Sequence, residues 1–265
     1  MILTMHAFPV SWLEPDWPAP PMVRAVMTTR EGGVSQPPWD SMNLGDHVGD
    51  VPEHVRTNRA RLASQLHRPA VYLHQVHGSE VVALTPVSPN GVQADACWTT
   101  HPGLACTIMV ADCLPVLMCD ASGQWVAAAH AGWRGLAGEN GQGVLEALTA
   151  DLPLSGVVSD VLVWLGPCIG PKAFEVGPEV KDAFDDGSQE VDALFTPLPD
   201  GKFLADLAGL ARWRLKRLGL TKIHGNNSQP QWCTVSQVPL FFSHRRDSRA
   251  LGQSGRMAAC IWRDT

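Results

Sequence analysis

Between residues 70 and 130 the chain alternates short apolar runs with polar breaks. The runs occupy 71–73, 81–84, 105–110, 114–118 and 125–129. Short apolar runs bounded by turn formers predict strands, and this spacing predicts consecutive strands of one sheet. Turn chemistry agrees, since Pro89-Asn90-Gly91 and Asp120-Ala121-Ser122-Gly123 stand between runs. A different period occupies PEHVRTNRARLASQL from Pro52, where Val55, Leu62 and Leu66 share a helical face and Pro52 suits a first turn.

Beyond the strand run, 143–150 predicts a glycine-flanked helix and 157–165 a strand that runs into Gly166-Pro167-Cys168-Ile169-Gly170-Pro171. A short helix is expected at 178–184, and a longer amphipathic one at 206–218 that Gly219 ends. A strand at 23–29 opens the body, and strands near Ile223, at 240–242 and at 257–262 close it. Strands cluster instead of alternating strictly with helices, which predicts an α+β fold with a mixed, strand-rich core and flanking helices. Residues 1–21, rich in Trp and Pro, predict an irregular N-terminal arm packed on that body. Neither a repeat nor a linker divides the sequence, so residues 1–265 are expected to form a single domain.

Composition narrows the functional classes. Hydrophobic residues make up 45% and charged residues 17%, with a net charge of −6, as in an ordinary globular protein. No basic stripe of the kind a nucleic-acid surface needs is present, so nucleic acid is not an expected partner. Apolar runs fall short of the ~18 residues of a membrane helix, and the N-terminus has no positively charged lead of a signal peptide. Seven cysteines, an odd number without a CxxC pair, suit free thiols in a reducing compartment. A cytoplasmic protein is expected, as a monomer or a homodimer.

Three stretches set a metal-competent or nucleophilic side chain at the edge of an apolar strand. They are HQVHG (74–78), ADC (111–113) and AAAHAGWRG (127–135). Two imidazoles and a thiolate leave a fourth tetrahedral position open, the arrangement of catalytic zinc. Equally, a cysteine is often a small buried hydrophobe and a histidine a hydrogen-bonded core or surface residue, and spacing alone leaves both readings open. Of His74 and His77, which face opposite sides of a strand, His77 is preferred because Gly78 allows close backbone approach.

Asp112 either orients a ligand or substrate group from a strand start, or caps the strand end by hydrogen bonding. Arg30, Arg134 and Arg245 stand where a guanidinium can fork onto phosphate or carboxylate oxygens, or can form structural ion pairs. No Walker A loop, GxGxxG turn, GxSxG elbow or HExxH helix supports ATP, dinucleotide, serine-hydrolase or zincin chemistry.

In order, MTTREGGVSQPPWDSMNLGDHVGD, HQVHG, DACWTT, ADCLPV, AAAHAGWRG, GPCIGPKAFEVGPEV and FFSHRRD resemble the YfiH family, also called the laccase-domain or polyphenol oxidase family. The resemblance spans residues 27–262. It implies an α+β domain related to the catalytic fold of cytotoxic necrotizing factor, with His77, Cys113 and His130 as metal ligands, generally to zinc. It also implies several activities: phosphorolysis of purine nucleosides and methylthioadenosine, adenosine deamination, copper-dependent phenol oxidation, and editing of peptidoglycan precursors. The sequence departs from the family pattern at SRALGQSGRM (248–257), where the stretch after the paired arginines looks lengthened.

A cupredoxin-type multicopper laccase needs histidines in HxH pairs, and no two of the ten histidines here are separated by a single residue. A His2Cys site can still accept copper when it is supplied, so oxidase activity is expected to be secondary. The favoured expectation is a zinc-dependent purine nucleoside enzyme, carrying out phosphorolysis of adenosine, inosine or methylthioadenosine and deamination of adenosine. Cys113, His130 and Asp112 would be catalytic, and Arg30, Arg134 and Arg245 would bind nucleoside and phosphate. The rival makes Cys113 a nucleophile activated by His130 in a cysteine hydrolase acting on peptidoglycan precursors.

Overall fold

The computed structural model describes residues 8–9, 11–154 and 158–265. The chain begins with β1 (Val23–Met27), α1 (Pro52–Leu66), β2 (Ala70–Tyr72), β3 (Val81–Ala83) and β4 (Ala96–Thr99). Its central run is β5 (Ala105–Val110), β6 (Leu114–Asp120), β7 (Val126–Ala131), α2 (Trp133–Ala137), α3 (Val144–Asp151) and β8 (Val161–Leu165). A small lobe follows, comprising β9 (Glu175–Val176), α4 (Pro178–Asp182), α5 (Gln189–Asp192), β10 (Phe195–Pro197) and β11 (Phe203–Ala205). The chain closes with α6 (Leu207–Arg217), β12 (Lys222–Gly225), α7 (His244–Leu251) and β13 (Met257–Arg263).

The run of apolar strands does not make one sheet. It divides between a four-stranded sheet ordered β1-β13-β5-β2 and a six-stranded sheet ordered β12-β8-β6-β7-β4-β3. Side-chain alternation explains how the two stack. On β6, Leu117 and Cys119 join Val126 and Ala128 of β7 in a core shared with Cys106, Ile108 and Ile261 of the four-stranded sheet. The opposite faces of the same two strands, with Val116, Met118, Ala127 and Ala129, pack on Leu145 and Leu148 of α3 and Leu210 and Ala211 of α6. The outer face of the four-stranded sheet is covered by Leu62 and Leu66 of α1 and by Phe8 and Trp12 of the N-terminal arm. The layers therefore run helix, sheet, sheet, helix, and both sheets are apolar on both faces.

This burial holds the fold together. A fully buried leucine such as Leu117 contributes about 2–5 kcal/mol against truncation to alanine, whereas an exposed pair such as Arg217–Asp186 contributes about 0–1 kcal/mol.

Several boundaries move. The opening strand ends at Met27, although Thr28 still donates its amide to Ala258 at 2.9 Å. Residues 158–160 form a 3-10 turn before β8, and Val157 lies outside the described residues. Gly143 and Asp206 are N-caps, the latter through a carboxylate that accepts from the Gly209 amide. Phe241 and Phe242 are fully buried, but residues 240–242 are not a strand: Leu240 closes a turn on Gln237, and the Phe241 carbonyl accepts from Arg246 Nη2 at 2.8 Å. Arg245 and Arg246 accordingly lie in the first turn of α7, capped by Ser243 Oγ, and Ser248 to Leu251 belong to that helix.

Candidate metal centre and its cavity

The chain passes from one sheet to the other between β2 and β3, between β4 and β5, between β5 and β6, and between β12 and β13. The first and third of these crossings are the HQVHG and ADC stretches. His130 lies on β7 in register with Pro115, and His130 and Cys113 project to the inter-sheet side at the sheet's end. His77 and Asp112 both have left-handed backbones, with φ of 61° and 85°. Non-glycine residues adopt that region only where neighbouring structure holds them. Close approach of the crossings depends on Gly132 and Gly135 of the HAGWRG stretch. A Cβ at Gly132 would lie 2.8 Å from His77 Cδ2 and 3.0 Å from Cys113 Sγ, and one at Gly135 would lie 2.6 Å from the Gly78 carbonyl.

The ligand atoms of His77, Cys113 and His130 all lie within 4.8 Å of one another. Cys113 Sγ is 3.7 Å from His77 Nε2, close to the ~3.6 Å that tetrahedral zinc with ordinary Zn–S and Zn–N bonds would impose. His130 Nδ1 is bonded to Asp95 Oδ1 at 2.7 Å, leaving Nε2 as its ligand atom in the carboxylate–histidine arrangement typical of metal sites. The donor set therefore fits a zinc-type ion with one position left for another group. His77 is exposed, Cys113 half-buried and His130 buried, so the centre opens to one side.

Burial opposes ionisation of Cys113, but the His130 and His77 imidazoles overcome it and bring the thiol down to about 6. Burial likewise opposes charge on His130, yet the Cys113 thiolate and Asp95 raise it to about 9. Without metal, the pair is a thiolate–imidazolium couple primed to exchange protons for an ion.

Asp95 carries the centre's architecture, and sequence reasoning gave it no role. It is fully buried, and its carboxylate accepts the amides of Val76, His77 and Gly78 at 3.1, 3.0 and 2.8 Å as well as the His130 ring. Its carbonyl also accepts the His130 amide at 2.7 Å. Burial works against this charge, and the His130 contact and the amides hold the carboxyl below its ordinary range. The available signal was its place at the head of DACWTT, an acidic residue at the start of a buried strand.

The centre forms the floor of a cavity of about 570 Å³ with an apolar wall that includes Trp133, Ile169, Phe174 and Leu207. Arg134 and Arg245 line it, the first stacked on Trp133 at 4.4 Å and the second over Phe174 at 5.8 Å. Arg30 does not reach it. That side chain lines a separate cleft and is held by Asp40 at 3.1 Å, the structural ion pair that was its alternative reading. His74 is exposed and outside the cavity, and of the two histidines it is His77 that belongs to the metal-competent group. Asp112 lines the cavity with both oxygens engaged: Thr234 Oγ1 donates to Oδ1, and Ser243 Oγ and the Arg245 amide donate to Oδ2 at 3.1 and 2.6 Å. Arg256, from the stretch that looked lengthened, is a further cation on the wall.

Fold and site together define a two-sheet layered protein with a His2Cys metal-competent centre at the sheet corners. A family model described as multi-copper polyphenol oxidoreductase laccase matches residues 24–264, and the chain belongs to that family. It is 52% identical over 253 residues to a purine nucleoside phosphorylase of Pseudomonas aeruginosa, covering 95% of this chain and 98% of the relative. It is 47% identical over 253 residues to the Escherichia coli purine nucleoside phosphorylase YfiH, covering 94% and 97%. Among solved structures, a Neisseria meningitidis protein of the DUF152 family superposes with a TM-score of 0.88 at 45% identity, covering 96% of this chain and 100% of that one. YlmD from Geobacillus stearothermophilus superposes with 0.84 at 31% identity, covering 96% of each. The α+β expectation and the resemblance to YfiH proteins both hold.

Proposed function

We propose that the protein is a zinc-dependent purine nucleoside phosphorylase that also deaminates adenosine, acting in the cytoplasm. One observation carries this reading: the three-ligand centre forms the floor of a cavity with an aromatic and aliphatic wall that suits a purine and a cationic wall that suits phosphate. The names of the Pseudomonas and Escherichia relatives support it. Seven free cysteines support a reducing compartment, and no helix among the described residues is long and apolar enough to cross a membrane.

His77, Cys113 and His130 would hold the zinc, which supplies a Lewis acid beside the bound nucleoside. The chain's own residues do the rest. Asp95 fixes the His130 ring and the His77 backbone so that the ligands need no rearrangement. Trp133 and Phe174 offer faces on which a base can stack. Arg134 and Arg245 place positive charge beside them, where it stabilises an anionic nucleophile and the negative charge that develops on the departing purine. Asp112, though lining the cavity, best supports a positioning role, since it grips the Arg245 amide and would have to release a partner to move a proton. Phosphorolysis and deamination both direct an oxygen nucleophile at a bound purine nucleoside, so one cavity serves both. Copper on the same ligands would account for oxidation of phenols, as a consequence of metal loading.

The test is incubation of zinc-loaded protein with adenosine, inosine and methylthioadenosine, with and without phosphate, followed by chromatography for free base and inosine. Phosphate-dependent release of free base is expected, and absence of any product would sink the reading. The low pKa of Cys113 beside His130 gives the cysteine-nucleophile alternative its footing, and metal dependence separates the two. Cys113→Ala should lose both zinc and turnover, and a chelator should abolish turnover of the wild type. Activity that survives chelation but not thiol alkylation would favour the nucleophile.

A further inference from the structure

The geometry points to a phosphate seat on the cavity wall, formed by Arg256 with His47 and His244 and mounted on the 43–47 turn. Its first support is an unpaired cation. Arg256 Nη1 donates to the carbonyls of Ser254 and Gly255 at 2.9 and 3.1 Å, while Nε and Nη2 have no partner among the described residues. No described carboxylate lies within ion-pair distance of it, whereas Arg30, Arg59, Arg214, Arg217 and Arg246 each have one. The Cys113 and Asp112 charges reach it only through space; a half-buried guanidinium with no direct ion pair is costly, and one that lines a cavity is matched by an anion arriving there.

The second support is the mount. Asn43 is fully buried; its Oδ1 accepts the amides of Gly45 and Arg256 at 3.0 and 2.9 Å, and its Nδ2 donates to the Gly45 carbonyl and to Asp50. Asn58 of α1 donates to the Asn43 carbonyl at 2.9 Å, and the Leu44 amide donates to the Arg256 carbonyl at 3.0 Å. The Arg256 stem lies directly against Gly45, where a Cβ would come within 2.8 Å of Arg256 Cγ. The NLGDH stretch, which the metal centre does not use, is thus a cradle that aims Arg256 and brings His47 to the same cavity. On the other side, His244 Nδ1 is bonded to Ser248 Oγ at 2.7 Å, which leaves Nε2 for a ligand.

A guanidinium fork with two imidazoles suits a tetrahedral phosphate. That phosphate is free orthophosphate, the co-substrate of phosphorolysis; this choice rests on the proposed function, and the 5′-phosphate of a nucleotide offers the same chemistry. The test uses zinc-loaded wild type, Arg256→Gln, Arg256→Lys and Gly45→Ala, with orthophosphate binding measured by calorimetry and initial rates measured against phosphate and inosine separately. Arg256→Gln should weaken phosphate binding and raise the KM for phosphate by about ten-fold or more, while the KM for inosine stays within about two-fold. Lysine should restore binding to within about three-fold of wild type. Gly45→Ala, which keeps the charge but displaces its stem, should follow glutamine in direction.

Adenosine 5′-monophosphate serves as the second probe. If the seat takes an ester phosphate, it binds more tightly than adenosine and Arg256→Gln erases the difference. If the seat takes orthophosphate, adenosine and phosphate bind together, and the nucleotide competes with both. Folded Arg256→Gln and Arg256→Lys proteins that bind phosphate and nucleotide as the wild type does would overturn the seat, as would a wild type that binds neither. Calorimetry needs no turnover, so a wild type that binds phosphate yet releases no base would fail the proposed function and leave the seat standing.

Discussion

At the head of β4, Asp95 gathers three consecutive amides, from Val76 to Gly78, together with the His130 ring. At the β5–β6 crossing, Asp112 gathers Thr234 Oγ1, Ser243 Oγ and the Arg245 amide. Both carboxylates are buried and both are saturated; Asp95 ties the β2–β3 crossing to β7, and Asp112 ties the β5–β6 crossing to the β12–β13 connection. The difference is in what they tie. Asp95 holds two residues of the metal-competent group, His77 and His130, whereas Asp112 holds the start of α7 and with it a cationic wall. One device, used once behind the cavity floor and once on its wall, separates the two, so they should fail independently when mutated.

Asp95→Asn should give the largest effect, because it removes the charge that orients His130 and leaves three amides competing for one oxygen. Zinc affinity should fall by about 10–100-fold, which chelator competition would measure, and turnover at limiting zinc should fall with it. Asp112→Asn should retain zinc within about two-fold but raise the KM for phosphate by about ten-fold, with about 1–3 kcal/mol of stability lost in urea titration. If Asp112→Asn lost zinc as Asp95→Asn does, the division between floor and wall would collapse.

A finer test uses metal-free protein and a thiol-alkylating reagent. Cys113 should react with a midpoint near pH 6, far below the ordinary thiol value of 9.0. Asp95→Asn should move the midpoint up, because an imidazolium less favoured at His130 stabilises the thiolate less, and Asp112→Asn should leave it in place. Stability should show much less. The depressed Cys113 pKa adds stability as pH rises from about 6 to 9, and the raised His130 pKa removes it from 6.5 to about 9, so the contributions nearly cancel across that window. The smallest effect should come from Arg30→Gln: with its guanidinium on Asp40 outside the cavity, kcat and both KM values should stay within about two-fold of wild type.

What could be read from the sequence follows a physical line. Periodicity located β5, β6, β7, α1 and α6, because buried strands and amphipathic helices impose their repeat on neighbouring residues. Periodicity carries no information on which strand pairs with which, so β2 and β5 were expected in one sheet with β3, β6 and β7. The Phe241–Phe242 pair has the apolar pattern of a strand, but its backbone is satisfied by Arg246 and by a turn. The ligand motifs were legible because glycines and ligands sit together in them. Asp95 and Arg256 were not, since an isolated acid and an isolated arginine acquire meaning only from partners distant in sequence, such as His130 and Asn43.

The crossings that bring the ligands together also give the centre a mechanical office. His77 and Cys113 stand where the chain leaves the four-stranded sheet, and His130 belongs to the six-stranded one. A metal held by all three would be a rivet between the layers, closing the 36-residue span from His77 to Cys113 in the native state. Its binding free energy would add to that of keeping the sheets docked. Metal supply would then set how long the folded chain survives heat and proteases, apart from how fast it turns over.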